Sequence, residues 1–138
     1  IVILSMVTGA LGLGLAGSNR SAEARAAMAR WRDLDAQARI AAQVEGAVRL
    51  QLDEDGGGVA LRATRTGEVL GTLRWSDAFK GSMVTPQNEA ITSIMIDSRG
   101  RSDDYSINLH ESGDPRDAQV FTSRVCGLTG WFVHEVRP

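Results

Sequence analysis

IVILSMVTGALGLGLAGSNRSAEARAAMARWRDLDAQARIAAQV, Ile1 to Val44, is the stretch on which the fold turns. Ile1 to Asn19 carry no charge, and from Arg20 the chain runs without a proline into an Ala/Arg/Glu-rich segment. After Val44 the sequence offers only short alternating segments of β type. An apolar span passing into an amphipathic helix, followed by such segments, describes a membrane-anchored stalk carrying a β-rich head. The expected fold is therefore α+β: a long N-terminal hydrophobic and amphipathic helix packed on a C-terminal antiparallel β-sheet head. The expected parts are a transmembrane segment over 1–19, an amphipathic helix over 20–45 and a globular head over 46–138.

At about 1.5 Å per residue, the uncharged run reaches roughly 26 to 29 Å as a helix, close to a hydrocarbon core of about 30 Å. Because the chain opens on Ile1 rather than methionine, it is read as a fragment or processed product with a few further residues upstream. Gly9, Gly12, Gly14 and Gly17 weaken a helix in water but permit close helix packing in lipid. Two other readings use the same residues. A secretory signal peptide would place its cleavage region at Leu15-Ala16-Gly17-Ser18. A dinucleotide-binding turn would use Gly12-Leu13-Gly14-Leu15-Ala16-Gly17, which matches G-x-G-x-x-G after the strand-like Ile1-Val2-Ile3-Leu4. That turn needs further βα units, and no second helical pattern of convincing length follows Val44.

From Ser21 to Val44, Ala24, Ala27, Met28, Trp31, Leu34, Ala38 and Ala41 recur at three- and four-residue spacing. They form the stripe expected to pack against a sheet. Asp35 and Arg39, at i and i+4, read as a pair that modestly favours the helix and requires no functional explanation. Arg20, Arg25, Arg30 and Arg32 read as a solvated face, with lipid headgroups or an acidic neighbour as the alternative.

Beyond Gly46 the period changes to two. Val48, Leu50 and Leu52 alternate with polar residues, Asp53-Glu54-Asp55-Gly56-Gly57-Gly58 turns the chain, and Val59, Leu61 and Ala63 return it. Thr66-Gly67-Glu68 makes a second turn before Val69 to Trp75, which gives a three-stranded meander. Ser76 to Glu89 reads as a long loop with a short strand near Met83-Val84, because its periodicity is weak and it contains Pro86. Ile91, Ile94 and Ile96, then Tyr105, Ile107 and Leu109, resume the pattern around the turn Asp97 to Ser102. After the turn Glu111 to Pro115, final strands are expected near Gln119 to Val125 and Trp131 to Val136.

A chain of 138 residues suits one domain, and a net charge of −2 gives no general basic field for nucleic acid or anionic lipid. Cys126 is the only cysteine, so an intrachain disulfide and a cysteine-rich metal site are both excluded. Its place between apolar strands reads as a small buried hydrophobe rather than a reactive thiol. His110, Glu111, Asp114 and His134 lack a ligand spacing and read as turn and edge-strand residues. Asp53-Glu54-Asp55-Gly56 is calcium-like only in composition, so a solvated hairpin tip is expected. Trp31, Trp75 and Trp131 are expected in the core between helix and sheet, while an exposed tryptophan would mark a contact surface.

The order of elements, together with Ile96-Asp97-Ser98-Arg99-Gly100-Arg101-Ser102 and a late Gly127-Leu128-Thr129-Gly130 before the terminal strand, resembles the type IV pilin-like minor pseudopilins. The nearest subgroup is the H-type pseudopilin of type II secretion, which shares its domain with T-type minor pilins. The resemblance implies a non-enzymatic subunit with no cofactor, metal or catalytic residue. It would be cleaved by a prepilin peptidase upstream of Ile1, N-methylated, and held as a single pass in the bacterial inner membrane with its head in the periplasm. An inner-membrane assembly platform would then draw it from inner-membrane lipid into a pseudopilus with other pseudopilins. Ile1, Val2, Ile3, Leu4, Met6, Val7, Leu11, Leu13 and Leu15 would supply the membrane and filament-core packing. The sheet edge and the Ser76 to Glu89 loop would meet neighbours. The alternative is a minor type IV pilin in pilus biogenesis or DNA uptake. That would need a basic stripe from residues such as Arg49, Arg62, Arg65, Arg74, Lys80, Arg99, Arg101, Arg116, Arg124 and Arg137, among which acidic residues are interleaved.

Overall fold

The computed structural model describes residues 16–112 and 120–137, with side chains described over 20–112 and 120–133. The packing assigned to Ile1, Val2, Ile3, Leu4, Met6, Val7, Leu11, Leu13 and Leu15, and the chemistry weighed for Asp114 and the His134 side chain, lie outside those residues. Helix α1 spans Ala16–Glu45. Among the described residues no helix is long and apolar enough to cross a membrane.

The buried side of α1 carries Ala24, Ala27, Met28, Trp31, Leu34, Asp35, Ala38, Arg39 and Ala42. Ala41 is only partly buried and Ala42 takes the enclosed position at that end. Ala42 lies eighteen residues after Ala24, about five turns at 3.6 residues per turn, so the two fall on one line along the helix. Four alanines bring the helix close to the sheets, while Met28, Trp31 and Leu34 fill the intervening space. Such burial, at about 1.5–3 kcal/mol for each large apolar side chain, holds α1 far more firmly than the intrinsic helix preference of its residues.

Among the described residues nine strands follow: β1 Val48–Leu52, β2 Gly58–Ala63, β3 Val69–Arg74, β4 Phe79–Val84, β5 Ala90–Ile91, β6 Ser93–Ile96, β7 Tyr105–Glu111, β8 Val120–Val125 and β9 Phe132–Arg137. They form two antiparallel sheets, one ordered β3-β2-β1-β6 and the other β5-β4-β7-β8-β9. The expected meander is present as β1-β2-β3, in the register Leu50↔Leu61 and Ala60↔Thr72. The head expected as one sheet is thus divided, with the chain crossing between sheets from β3 to β4, from β5 to β6 and from β6 to β7. Helix α1 lies on the four-stranded sheet, and one core joins it to both: Leu50, Leu61 and Ile96 from the first sheet, Met83, Ile107 and Phe121 from the second.

Ser76 to Glu89 is not a long loop. Its centre is β4, six residues paired along their whole length with β7. Phe79 and Met83 point inward on the two-residue period, but Gly81 between them hides the alternation in the sequence. That glycine is required by close approach: a Cβ on it would stand 2.3 Å from Cζ2 of Trp75. Trp75 in turn donates its indole N–H to the Gly56 carbonyl at 2.9 Å, and Gly81 N donates to the same oxygen at 2.7 Å. The backbone of the β1–β2 hairpin tip is therefore pinned to β4 at Gly56, while the side chains of Glu54 and Asp55 stay exposed, as expected of a solvated tip. Arg74 bonds Asp53 at 3.1 Å and Asp55 at 3.2 Å across it.

Candidate functional site

Two residues read from the sequence as an ordinary helix pair lie at the centre of the molecule's buried polar chemistry. Asp35 is 1% exposed and Arg39 9%. Arg39 donates from Nε to Asp35 Oδ2 at 2.7 Å and from Nη2 to Oδ1 at 3.3 Å. The same guanidinium reaches three points outside the helix: Gly100 O at 3.0 Å, Gly127 O at 2.7 Å and Ser102 Oγ at 3.2 Å. Asp35 Oδ1 also accepts the Tyr105 hydroxyl at 2.8 Å, and that hydroxyl accepts the Trp31 indole N–H at 2.9 Å. Burial first, and the Asp35 carboxylate second, push the Tyr105 phenol well above its ordinary pKa. No buried side-chain polar atom among the described residues lacks a partner.

This arrangement is a clasp. A planar guanidinium with five donors can hold a carboxylate and several carbonyls at once, so one side chain ties α1 to the β6–β7 turn and to the β8–β9 turn. Those turns are also tied to each other: Ser102 N donates to Gly127 O at 3.0 Å, and Gly127 N to Asp104 Oδ1 at 2.7 Å. A Cβ on Gly127 would stand 2.0 Å from the Ser102 carbonyl oxygen, so only glycine allows the approach. The sequence showed this site only indirectly, through two turns that each place glycine near polar residues. Spacing along a helix carries no information about what lies above it.

The β8–β9 turn and the start of β9 also carry exposed apolar side chains. Trp131, expected in the core, is 76% exposed, and Leu128 and Val133 are exposed beside it in sequence. The register explains the difference: Phe132 pairs with Val125 and takes the inward position, which turns its neighbours outward. Trp31 and Trp75 are buried as expected, with their rings 6.1 Å apart. Ile40 and Val44 add exposed apolar surface on the outer side of α1, at the end nearest the clasp. Cys126 is half-buried rather than enclosed, and hydrogen bonds from the Thr129 side chain, then from the backbone of Leu128 and Thr129, lower its thiol pKa.

Among the described residues no three metal-ligating side chains converge. His110 lies on β7, not in a turn, and meets Ser82 Oγ at 3.2 Å. The strands next to α1 are all antiparallel, so Gly12 to Gly17 precede no parallel sheet of the dinucleotide-binding kind. Arg74 is occupied by Asp53 and Asp55, which removes one cation from any basic stripe.

No protein-family model matches the sequence, and no curated protein matches it. Solved structures do match in three dimensions. The type IV minor pilin FimU of Pseudomonas aeruginosa superposes with a TM-score of 0.58 at 13% identity, over 86% of this chain and 91% of that one. The minor pseudopilin EpsH from the type 2 secretion system of Vibrio cholerae gives a TM-score of 0.62 at 9% identity, over 81% of this chain and 94% of that one. The fold of this chain is thus the pilin-like α+β fold shared by a minor pilin and a minor pseudopilin.

Proposed function

We propose that the chain is a non-catalytic minor pseudopilin, assembled through its N-terminal helix with other pilin-like subunits into a type II secretion pseudopilus that supports protein export. The observation that carries this reading is the likeness, along most of the chain, to both a minor pilin and a minor pseudopilin. The sequence supports it from the other end. An uncharged run, Ile1 to Asn19, leads directly into α1, and a helix stable in lipid exchanges lipid contacts for helix contacts at little hydrophobic cost. Ile1 to Leu15 then serve as the anchor in the inner membrane and as the packing surface in the filament. The clasp contributes rigidity, fixing the head to the helix that is pulled.

The test is mass spectrometry of the native protein's mature N-terminus, combined with identification of partners cross-linked through positions Ile1 to Leu15. An N-methylated first residue, with glutamate at the fifth position a few residues before Ile1, and pseudopilin partners are the expected result. Pilus subunits in place of pseudopilins would move the chain to the minor pilin reading. A mature start near Ser18 would sink both.

A further inference from the structure

The two faces of the five-stranded sheet differ in chemistry. Inward stand Phe79, Met83, Tyr105, Ile107, Leu109 and Phe121. Outward, cross-strand register places Ser82, Asn108 and Thr122 in one row and Val84, Ser106, Arg124 and Val133 in the next. This second face floors a groove of about 860 Å³, walled on one side by the turn containing Pro86 and Asn88 and on the other by Trp131. The volume falls within the roughly 300–1,000 Å³ of small-ligand sites. The groove does not depend on the filament reading.

Its lining selects the occupant. Among the described lining residues there is one cation, Arg124, and one anion, Asp104, whose Oδ1 already accepts the Gly127 N–H at 2.7 Å. That balance offers no attraction to a polyanion or an acidic peptide. The floor is amphipathic: Ser106, Asn108 and Thr122 stand among Val84 and Val133, and an apolar helix or strand laid on it would strip water from those hydroxyl and amide groups without replacing the hydrogen bonds. Thr122 Oγ1 donates to Asn108 Oδ1 at 2.7 Å, fixing the amide so that its NH2 group remains as a donor toward the groove. Above this floor stands the Trp131 indole, 76% exposed. A pyranose ring meets each requirement: it is uncharged, its axial C–H groups form a flat apolar face for an indole, and its rim of hydroxyls matches the amide and hydroxyl groups.

We propose that this groove binds an uncharged saccharide, with Trp131 stacked on a sugar ring and Asn108, Thr122 and Ser106 bonding its hydroxyls. The experiment titrates the full chain, held in a polyoxyethylene detergent that carries no sugar, with chitotetraose and cellotetraose, following the heat of binding in wild type and variants alike. Trp31 and Trp75 are buried, so acrylamide quenching reports Trp131 alone. The expected result is saturable binding that shields Trp131 from acrylamide. Trp131→Ala and Asn108→Ala would each weaken binding at least about tenfold, roughly 1.4 kcal/mol, with thermal unfolding unchanged. Leu128→Ala, exposed but outside the groove lining, would leave binding intact. No saturable binding up to about 10 mM, or binding indifferent to both groove variants, overturns the proposal. So does a Trp131→Ala variant that loses a cross-linked protein partner while the wild type binds neither sugar, since the groove would then be a protein-docking surface.

Discussion

Replacing Arg39 with methionine keeps the length and much of the apolar stem of the side chain but removes every donor of the clasp. The structure sets the scale. Asp35 is left 1% exposed, with only the Tyr105 hydroxyl at 2.8 Å to stabilise its charge, and the carbonyls of Gly100 and Gly127 lose the guanidinium. Breaking a buried pair by removing one partner typically costs about 3–5 kcal/mol, because an uncompensated charge remains. A domain of ordinary stability has about 5–15 kcal/mol in total, so Arg39→Met consumes a large share of it. Urea unfolding of the full chain in mild detergent, followed by tryptophan fluorescence, measures the change from the midpoint and slope. A second variant isolates the cause. Asp35→Asn in the Arg39→Met background removes the stranded charge while keeping an acceptor for Tyr105, and its cost should fall to the roughly 1–3 kcal/mol of unsatisfied neutral groups. The double variant must therefore be more stable than Arg39→Met alone. An Arg39→Met protein within about 1 kcal/mol of wild type, or a double variant less stable than the single, would refute a buried, charge-compensated clasp.

Three further outcomes follow from the same geometry. Tyr105 is the sole tyrosine, and its folded pKa is raised by burial and by Asp35; protonation of the phenol therefore stabilises the fold, fully below about pH 10 and progressively less as pH rises through the folded value. Phenolate absorbance should accordingly appear only together with loss of tertiary structure, and a phenol titrating reversibly near pH 10 in folded protein would contradict its placement. Gly127→Ala should destabilise by about 3 kcal/mol or more, since its Cβ meets backbone atoms that cannot rotate away; a thermal midpoint equal to wild type would disprove the close approach of the two turns. Asp97 Oδ1 accepts the N–H groups of Arg101 and Arg99, which hold its carboxyl below the usual range. Its charge contributes stability above about pH 4 that is lost as pH falls through the lowered folded value. Wild type should therefore exceed Asp97→Asn in urea resistance at neutral pH, with the gap closing on acidification, and a gap that widens toward low pH would reverse the assigned sign.

What was legible in the sequence follows the periodicities. The α1 stripe, the β1-β2-β3 meander and the alternation at Tyr105, Ile107 and Leu109 are patterns in which burial and spacing coincide, so the α+β order could be read directly. β4 escaped because Gly81 occupies a position that the Trp75 ring fills from elsewhere in the chain. Its vacancy in the pattern is a tertiary contact, invisible to a local period. Trp131 escaped for the opposite reason: a large aromatic is placed inside by default, yet the register Val125↔Phe132 commits the inward position to its neighbour. The division into two sheets rests on the pairing of β4 with β7 and of β1 with β6, and neither partner choice is encoded in strand composition.

The clasp was the least legible feature and has the most to say about α1. Ala24, Ala27, Ala38 and Ala42 present a smooth stripe, along which a helix could slide by one turn, about 5.4 Å, with modest loss of contact at those positions. At the alanine positions packing resists such a slide weakly, and the resistance comes from Met28, Trp31 and Leu34. Arg39 adds a second, electrostatic restraint. A slide of one turn would carry its guanidinium beyond hydrogen-bond reach of Gly100 O and Gly127 O and leave Asp35 apart from the Tyr105 hydroxyl. A buried ion pair adds little net stability compared with an apolar replacement, but it penalises the wrong register by several kcal/mol. The clasp thus couples the helix to the β8–β9 turn bearing Trp131, adding a charge-based constraint on axial position to that of the packed side chains.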